Sequence, residues 1–142
     1  MRILVINGAN LGLLGKREPK FYGTISLKEI QQRLKKKFPR VRFTFVQTNS
    51  EGTIVDHLNK AFDGGVDGVV INPGAYAHYS YAIRDAIAAL SIPVVEAHIS
   101  NVHAREEWRR HSVIAPVCAG VVGGFGWMTY ELAVRFLVER GK

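Results

Sequence analysis

The stretch VDGVVIN, residues 66–72, decides the fold. Its consecutive Val69, Val70 and Ile71 leave no polar face, and the run is too short to stand as a buried helix. A strand that is apolar on both faces belongs in a parallel sheet covered on both sides. Working outward, RILVIN (2–7), VRFTFVQ (41–47), IPVVEAHI (92–99) and APVCAGVVGGF (115–125) are further apolar runs read as strands. Between them lie stretches of helical period. In residues 26–38, Leu27, Ile30, Leu34 and Phe38 make one stripe, and Ser26 with Glu29 spells a capping box. Ile54, Val55, Leu58, Ala61 and Phe62 share the face of a second helix. Ala82, Ile83, Ala86, Ile87 and Leu90 mark a third, and Tyr130, Ala133, Val134 and Leu137 a last one. Strands and helices alternate without linker or repeat, so residues 1–142 read as a single domain. The right-handed crossover rule then predicts an α/β fold: a flavodoxin-like, doubly wound, five-stranded parallel sheet in three α/β/α layers.

Composition bounds what such a domain does. The chain is 47% apolar and 22% charged, as in an ordinary globular protein. No apolar run approaches a membrane span and no signal-peptide pattern precedes the strand at Arg2, so the cytoplasm is the expected compartment. Cys118 is the sole cysteine, sits in an apolar stretch and reads as a small core residue. The formal charge of +7 and pI near 9.8 raise the question of nucleic acid. Much of that excess comes from Arg33, Lys35, Lys36 and Lys37 around one helix end, where cations complement the helix dipole. No aromatic residues interleave them, so a solvated face is the reading and no nucleic-acid partner is expected.

In a doubly wound sheet ligands bind beyond the carboxyl ends of the strands. Asn7 and Asn10 follow the first strand, and Gln47, Asn49 and Glu51 the second. Asn72 and PGAYAHYS follow the third, while Glu96, His98 and Ser100, then Arg105 and Arg109, follow the fourth. Any one of these is an ordinary turn former or cap; polar groups at four consecutive strand ends point to a small-molecule site. Absences narrow its chemistry. There is no GxxxxGK[ST] loop, no GxGxxG after the first strand, no HExxH pair and no nucleophile elbow. GVVGGFG follows the last strand with the wrong spacing, and its glycines suit close helix packing equally well. Acid–base chemistry is what remains.

The loop NGANLGLLGKREPKFYG (7–23) supplies a candidate base in Tyr22. A phenol is a poor base at neutral pH unless its anion is stabilised. A guanidinium at about 4 Å, in an effective dielectric of about 20, contributes roughly 4 kcal/mol toward that. Arg17 in the same loop and Arg105 and Arg109 beyond the fourth strand are the available cations; an aromatic that merely anchors the loop is the competing reading. His98 is a candidate acid, with Glu96 two residues earlier able to fix its tautomer; a histidine bonding only backbone is the alternative.

At these residues a family resemblance appears. NGANLGLLGKREPKFYG, NSEG, INPGAYAHYSYAIRDA and EAHISNVHAREEWRRHS resemble the motif series of type II 3-dehydroquinate dehydratase, in order and over essentially the whole chain. The resemblance implies conversion of 3-dehydroquinate to 3-dehydroshikimate in the shikimate pathway, by anti elimination through an enolate, with no metal or cofactor. It implies Tyr22 as the base, Arg17 as the group that activates it, and His98 as the acid toward the departing hydroxyl. Asn10 would hold a water on the enolate oxygen. Asn72, His78, Ile99, Ser100 and Arg109 match substrate contacts, and Asp85 matches a residue that reaches a neighbouring subunit's site in a dodecamer built as a tetramer of trimers. From sequence alone Asp85 reads only as an ion pair with Arg84. Three positions depart from the family pattern: Ala9, Gly12 and Thr129, where proline, asparagine and glycine are common. The first two imply a looser start to the loop.

Two other functional classes are compatible with parts of this pattern. A non-catalytic flavodoxin-like module binding a nucleotide or protein would share the fold, and a nucleic-acid binder would use the basic face. Within the enzyme class, a Schiff base on Lys16 or Lys20 is the rival mechanism, disfavoured because neither lysine lies on a buried strand.

Overall fold

Each of the five expected strands forms, all parallel: β1 (Arg2–Asn7), β2 (Arg42–Gln47), β3 (Gly68–Asn72), β4 (Val94–His98) and β5 (Gly120–Gly123). The computed structural model describes residues 1–141, so of the expected extent only Lys142 lies outside the described residues. The strand order is β2-β1-β3-β4-β5, the flavodoxin-like arrangement. Five helices accompany it: α1 (Pro19–Tyr22), α2 (Leu27–Lys37), α3 (Glu51–Phe62), α4 (Tyr81–Ala88) and α5 (Met128–Arg140).

Strand alternation splits the core in two. Ile3, Val5, Val70, Val95 and Ala97 face Ile30 and Leu34 of α2 and Tyr130, Ala133, Val134 and Leu137 of α5. Leu4, Ile6, Val69, Ile71 and Val94 face Ile54, Leu58 and Ala61 of α3 and Ile83, Ala86 and Ile87 of α4. The sheet is therefore covered on both sides, as the apolar runs require. Helix starts are set by side chains. The Ser26 hydroxyl accepts from Glu29 N at 3.2 Å while the Glu29 carboxylate accepts from Ser26 N at 2.8 Å. Ser50 and Ser80 cap α3 and α4 in the same way, each accepting the N–H three residues on.

Two segments differ from the reading by pattern. Residues 115–125 are not one strand: Ala115–Val117 forms a 3-10 turn and only Gly120–Gly123 pairs with β4. Pro116 fits a first helical turn and cannot donate to a ladder, and Gly124, at φ +87, turns the chain away. Cys118, between the two, is half-buried against the core edge rather than within it. The 7–23 connection is also more ordered than a loop. Leu11–Leu13 makes a 3-10 turn, Leu11 and Leu14 are buried, and Pro19 opens the short α1. Gly12 packs closely on β2, since a Cβ there would lie 3.1 Å from Gln47 Oε1. Thr129, another departure, is buried and its hydroxyl accepts from Phe125 N at 3.3 Å, fastening the turn ahead of α5.

The strand order reverses between β1 and β3, and there the chain closes on itself. Gly8 donates to Asn72 O at 2.7 Å, and a Cβ on Gly8 would fall 2.3 Å from Pro73 O, so no other residue fits. Below this point the buried Tyr130 hydroxyl donates to Asn7 Oδ1 and accepts from Asn72 Nδ2 at 2.9 Å. The same end of the sheet carries the polar rim.

Candidate active site

A cavity opens at the carboxyl ends of β1, β3 and β4. Nine of the ten residues to which the family resemblance assigns a role line it: Asn10, Arg17, Tyr22, Asn72, His78, His98, Ile99, Ser100 and Arg109. Arg105 lines it as well, while Asp85 does not. Asp85 is exposed on α4, and Arg84, its expected ion-pair partner, donates instead to Val113 O at 2.8 Å.

Tyr22 ends the short helix that folds over the rim, between Gly15 and Gly23, both at positive φ. Its oxygen accepts from Arg105 Nη1 at 2.7 Å. A guanidinium has no lone pair to offer, so this contact holds the Tyr22 oxygen as an acceptor. Arg105 Nη1 also reaches Ser100 Oγ at 3.2 Å, its side chain is 4% exposed, and its buried Nε makes no hydrogen bond, with the Glu106 carboxylate 3.9 Å away. Arg17 approaches differently: its guanidinium lies over the Tyr22 ring, 4.7 Å from the centroid, and is held by Glu18 at 2.7 Å. The cation in contact with the oxygen is therefore Arg105, which the sequence placed only as one of three candidates.

His98, at the end of β4, puts Nε2 2.6 Å from Glu96 Oε1. Glu96 is completely buried. A carboxylate accepts, so Nε2–H donates and Nδ1 is the ring nitrogen left for the cavity. Ser112 Oγ lies 2.8 and 2.9 Å from the two Glu96 oxygens. Burial, and after it the charge of Glu96, pushes the nearby Cys118 thiol up to about 12.

His78 stacks beside His98, ring centroids 6.1 Å apart. Its Nδ1 donates to His111 O at 2.7 Å, which leaves Nε2 free. Burial holds its pKa below the usual imidazole range, more than that hydrogen bond raises it. Asn72 is fixed by Tyr130 and by accepting from Gly74 N at 3.2 Å. Asn10 sits in the left-handed region at φ 67, and its N–H donates to Asn49 Oδ1 at 3.0 Å. Arg109 stacks on Trp108 at 4.1 Å and pairs with Glu106. Lys16 and Lys20 are both exposed and neither lines this cavity.

The arrangement joins an arginine-bound phenol, a carboxylate-bound imidazole and further cationic groups in one cavity. Among the described residues no group of three or more His, Cys, Asp or Glu is placed to hold a metal ion. Sequence reasoning missed Ser112 and the lock formed by Tyr130. Tyr130 reads as one more apolar-stripe residue until its hydroxyl is followed, and nothing in the spacing of Ser112 singles it out.

Known proteins match nearly the full length of the chain. Residues 1–138 match the family model described as dehydroquinase class II. The 3-dehydroquinate dehydratase of Pelodictyon phaeoclathratiforme is 55% identical over 139 residues, covering 97% of this chain and 92% of that protein. The enzyme of the same name from an Exiguobacterium strain is 55% identical over 140 residues, covering 98% and 95%. The crystal structure of type II dehydroquinase from Butyrivibrio crossotus superposes with a TM-score of 0.94 at 46% identity, covering 97% of each chain.

Proposed function

The chain belongs to the dehydroquinase class II family, and on that premise we propose how it turns 3-dehydroquinate into 3-dehydroshikimate and water in the shikimate pathway. The observation that carries the reading is the Arg105 to Tyr22 hydrogen bond, made in the same cavity as the Glu96–His98 pair.

Tyr22, as the phenolate, removes the proton beside the substrate carbonyl. The Arg105 donor bonds the oxygen without needing the phenolic proton, so the contact persists when that oxygen carries the charge, and Arg17 places positive charge over the ring. An enolate results, and Asn10 holds a water against its oxygen. His98, protonated on both ring nitrogens with its charge balanced by Glu96, then gives its Nδ1 proton to the departing hydroxyl. The double bond forms as water leaves, the ring is left as the neutral Nε2–H tautomer, and it takes up a proton from solvent as Tyr22 gives up the one it removed. Proton removal and water loss on opposite faces make this an anti elimination. Asn72, His78 and Arg109 hold the substrate's oxygens, and the backbone amides of Ile99 and Ser100 receive its carboxylate. Closure of the Gly15–Gly23 segment keeps bulk water out while the charge develops.

The working unit in this reading is a dodecamer, a tetramer of trimers, of a single catalytic domain spanning residues 1–142. Asp85 supports it: exposed and away from its own chain's cavity, it is free to reach a neighbour's. The protein acts in the cytoplasm, without nucleic-acid or membrane partners and without a metal or cofactor. Among the described residues no helix is long and apolar enough to cross a membrane.

The test is direct. Incubation with 3-dehydroquinate produces the ultraviolet absorbance of the conjugated product. No rise in absorbance, together with a bound flavin or nucleotide in the purified protein, would instead favour the non-catalytic module.

A further inference from the structure

We propose that Ser112 is a positioning residue for this reaction: its hydroxyl locks the Glu96 carboxylate and, through it, holds His98 with Nε2 protonated and Nδ1 free. The inference rests on the acid role given to His98 above.

Glu96 is completely buried, and its two oxygens meet only His98 and Ser112 among the side-chain hydrogen bonds of the described residues. The Ser112 oxygen accepts from Ala115 N at 3.1 Å, so its own proton is left to point at the carboxylate. At 2.8 and 2.9 Å from the two oxygens, the hydroxyl fixes the plane of the carboxylate, since rotation would carry one oxygen away. That plane fixes the imidazole in turn, because the Oε1 lone pair that meets Nε2 lies in it.

The backbone carrying Ser112 is anchored on both sides. His111 O accepts from His78 Nδ1 at 2.7 Å, and Val113 N donates to Ala77 O at 2.8 Å. One three-residue stretch thus orients both histidines of the cavity, His78 through a carbonyl and His98 through Glu96. Without the Ser112 hydroxyl, Glu96 Oε2 has no donor. A buried carboxylate in that position turns, or takes the proton it should leave on His98.

The experiment compares wild type, Ser112→Ala and Ser112→Thr by two readouts. Nitrogen-15 NMR of the His98 ring, taken at a pH where the ring is neutral, is expected to show one tautomer, Nε2–H, in wild type and Ser112→Thr, and a mixture in Ser112→Ala. This readout needs no turnover, so it remains decisive for Ser112 even if the dehydratase reading fails. In kinetics, Ser112→Ala is expected to lower kcat about 10–100-fold, the scale on which removing the group that orients a metal-bound histidine acts, with KM within about twofold. Solvent-proton exchange beside the substrate carbonyl should persist, and Ser112→Thr should restore dehydration. An unchanged tautomer in Ser112→Ala would overturn the proposal, as would exchange and dehydration falling by the same factor.

Discussion

Replacing Tyr130 with Phe removes one oxygen from the point where the sheet reverses direction. That hydroxyl is fully buried and serves two buried partners, donating to Asn7 Oδ1 and accepting from Asn72 Nδ2 at 2.9 Å. Asn7 keeps only a 3.5 Å contact from its Nδ2 to Val46 O, and Asn72 keeps the Gly74 N–H on Oδ1. Each orphaned group costs about 1–3 kcal/mol, and relief of burying the phenolic oxygen offsets part of that, so a net loss of about 2–4 kcal/mol is expected. For a chain of this size that is a fall in Tm on the order of 10 °C. Urea unfolding at fixed protein concentration, with the slope unchanged, measures it. Because Asn72 lines the cavity, KM should rise more than kcat falls. A loss below about 0.5 kcal/mol would refute the claim that this hydroxyl holds the switch point together, since that is the level of an ordinary surface change.

Arg105→Gln should cut kcat by about a hundredfold or more and exceed the effect of Arg17→Gln, because only Arg105 bonds the Tyr22 oxygen; equal effects in steady-state kinetics would contradict that ranking. With its thiol pushed up to about 12, Cys118 should be about one part in ten thousand thiolate at pH 8. Its alkylation by iodoacetamide in the native protein should therefore run about a thousandfold slower than in urea, where the thiol returns to about 8.5. Labelling at equal rates would mean that Cys118 is neither buried nor beside a charged Glu96. His98→Asn should leave proton exchange on the substrate partly intact while stalling water loss; NMR exchange in deuterated buffer would show both falling together if His98 has another role.

The fold was legible because its strands are apolar on both faces and its helices carry single stripes, and right-handed crossovers favour a doubly wound sheet. The end of β5 was not, since Pro116 and the glycines that follow break pairing without breaking the apolar run. At the site, strand-end positions and the family motifs placed nine residues in one cavity, because a parallel sheet brings its carboxyl ends together whatever the loops do. What pattern cannot supply is contact across long separations. The bond from Tyr130 to Asn7 spans 123 positions, and that from Arg105 to Tyr22 spans 83. Asp85 shows the opposite limit: adjacency to Arg84 suggested an ion pair, yet Arg84 turns to Val113 O, 2.8 Å away and 29 positions along the chain.

The proposed reaction begins with Tyr22 as the base. Tyr22→Phe keeps the ring beneath Arg17 and removes only the oxygen that Arg105 holds. Product formation followed by ultraviolet absorbance should fall by about a thousandfold or more, while calorimetry shows 3-dehydroquinate still binding. A Tyr22→Phe enzyme that turned over at near wild-type kcat would contradict the account.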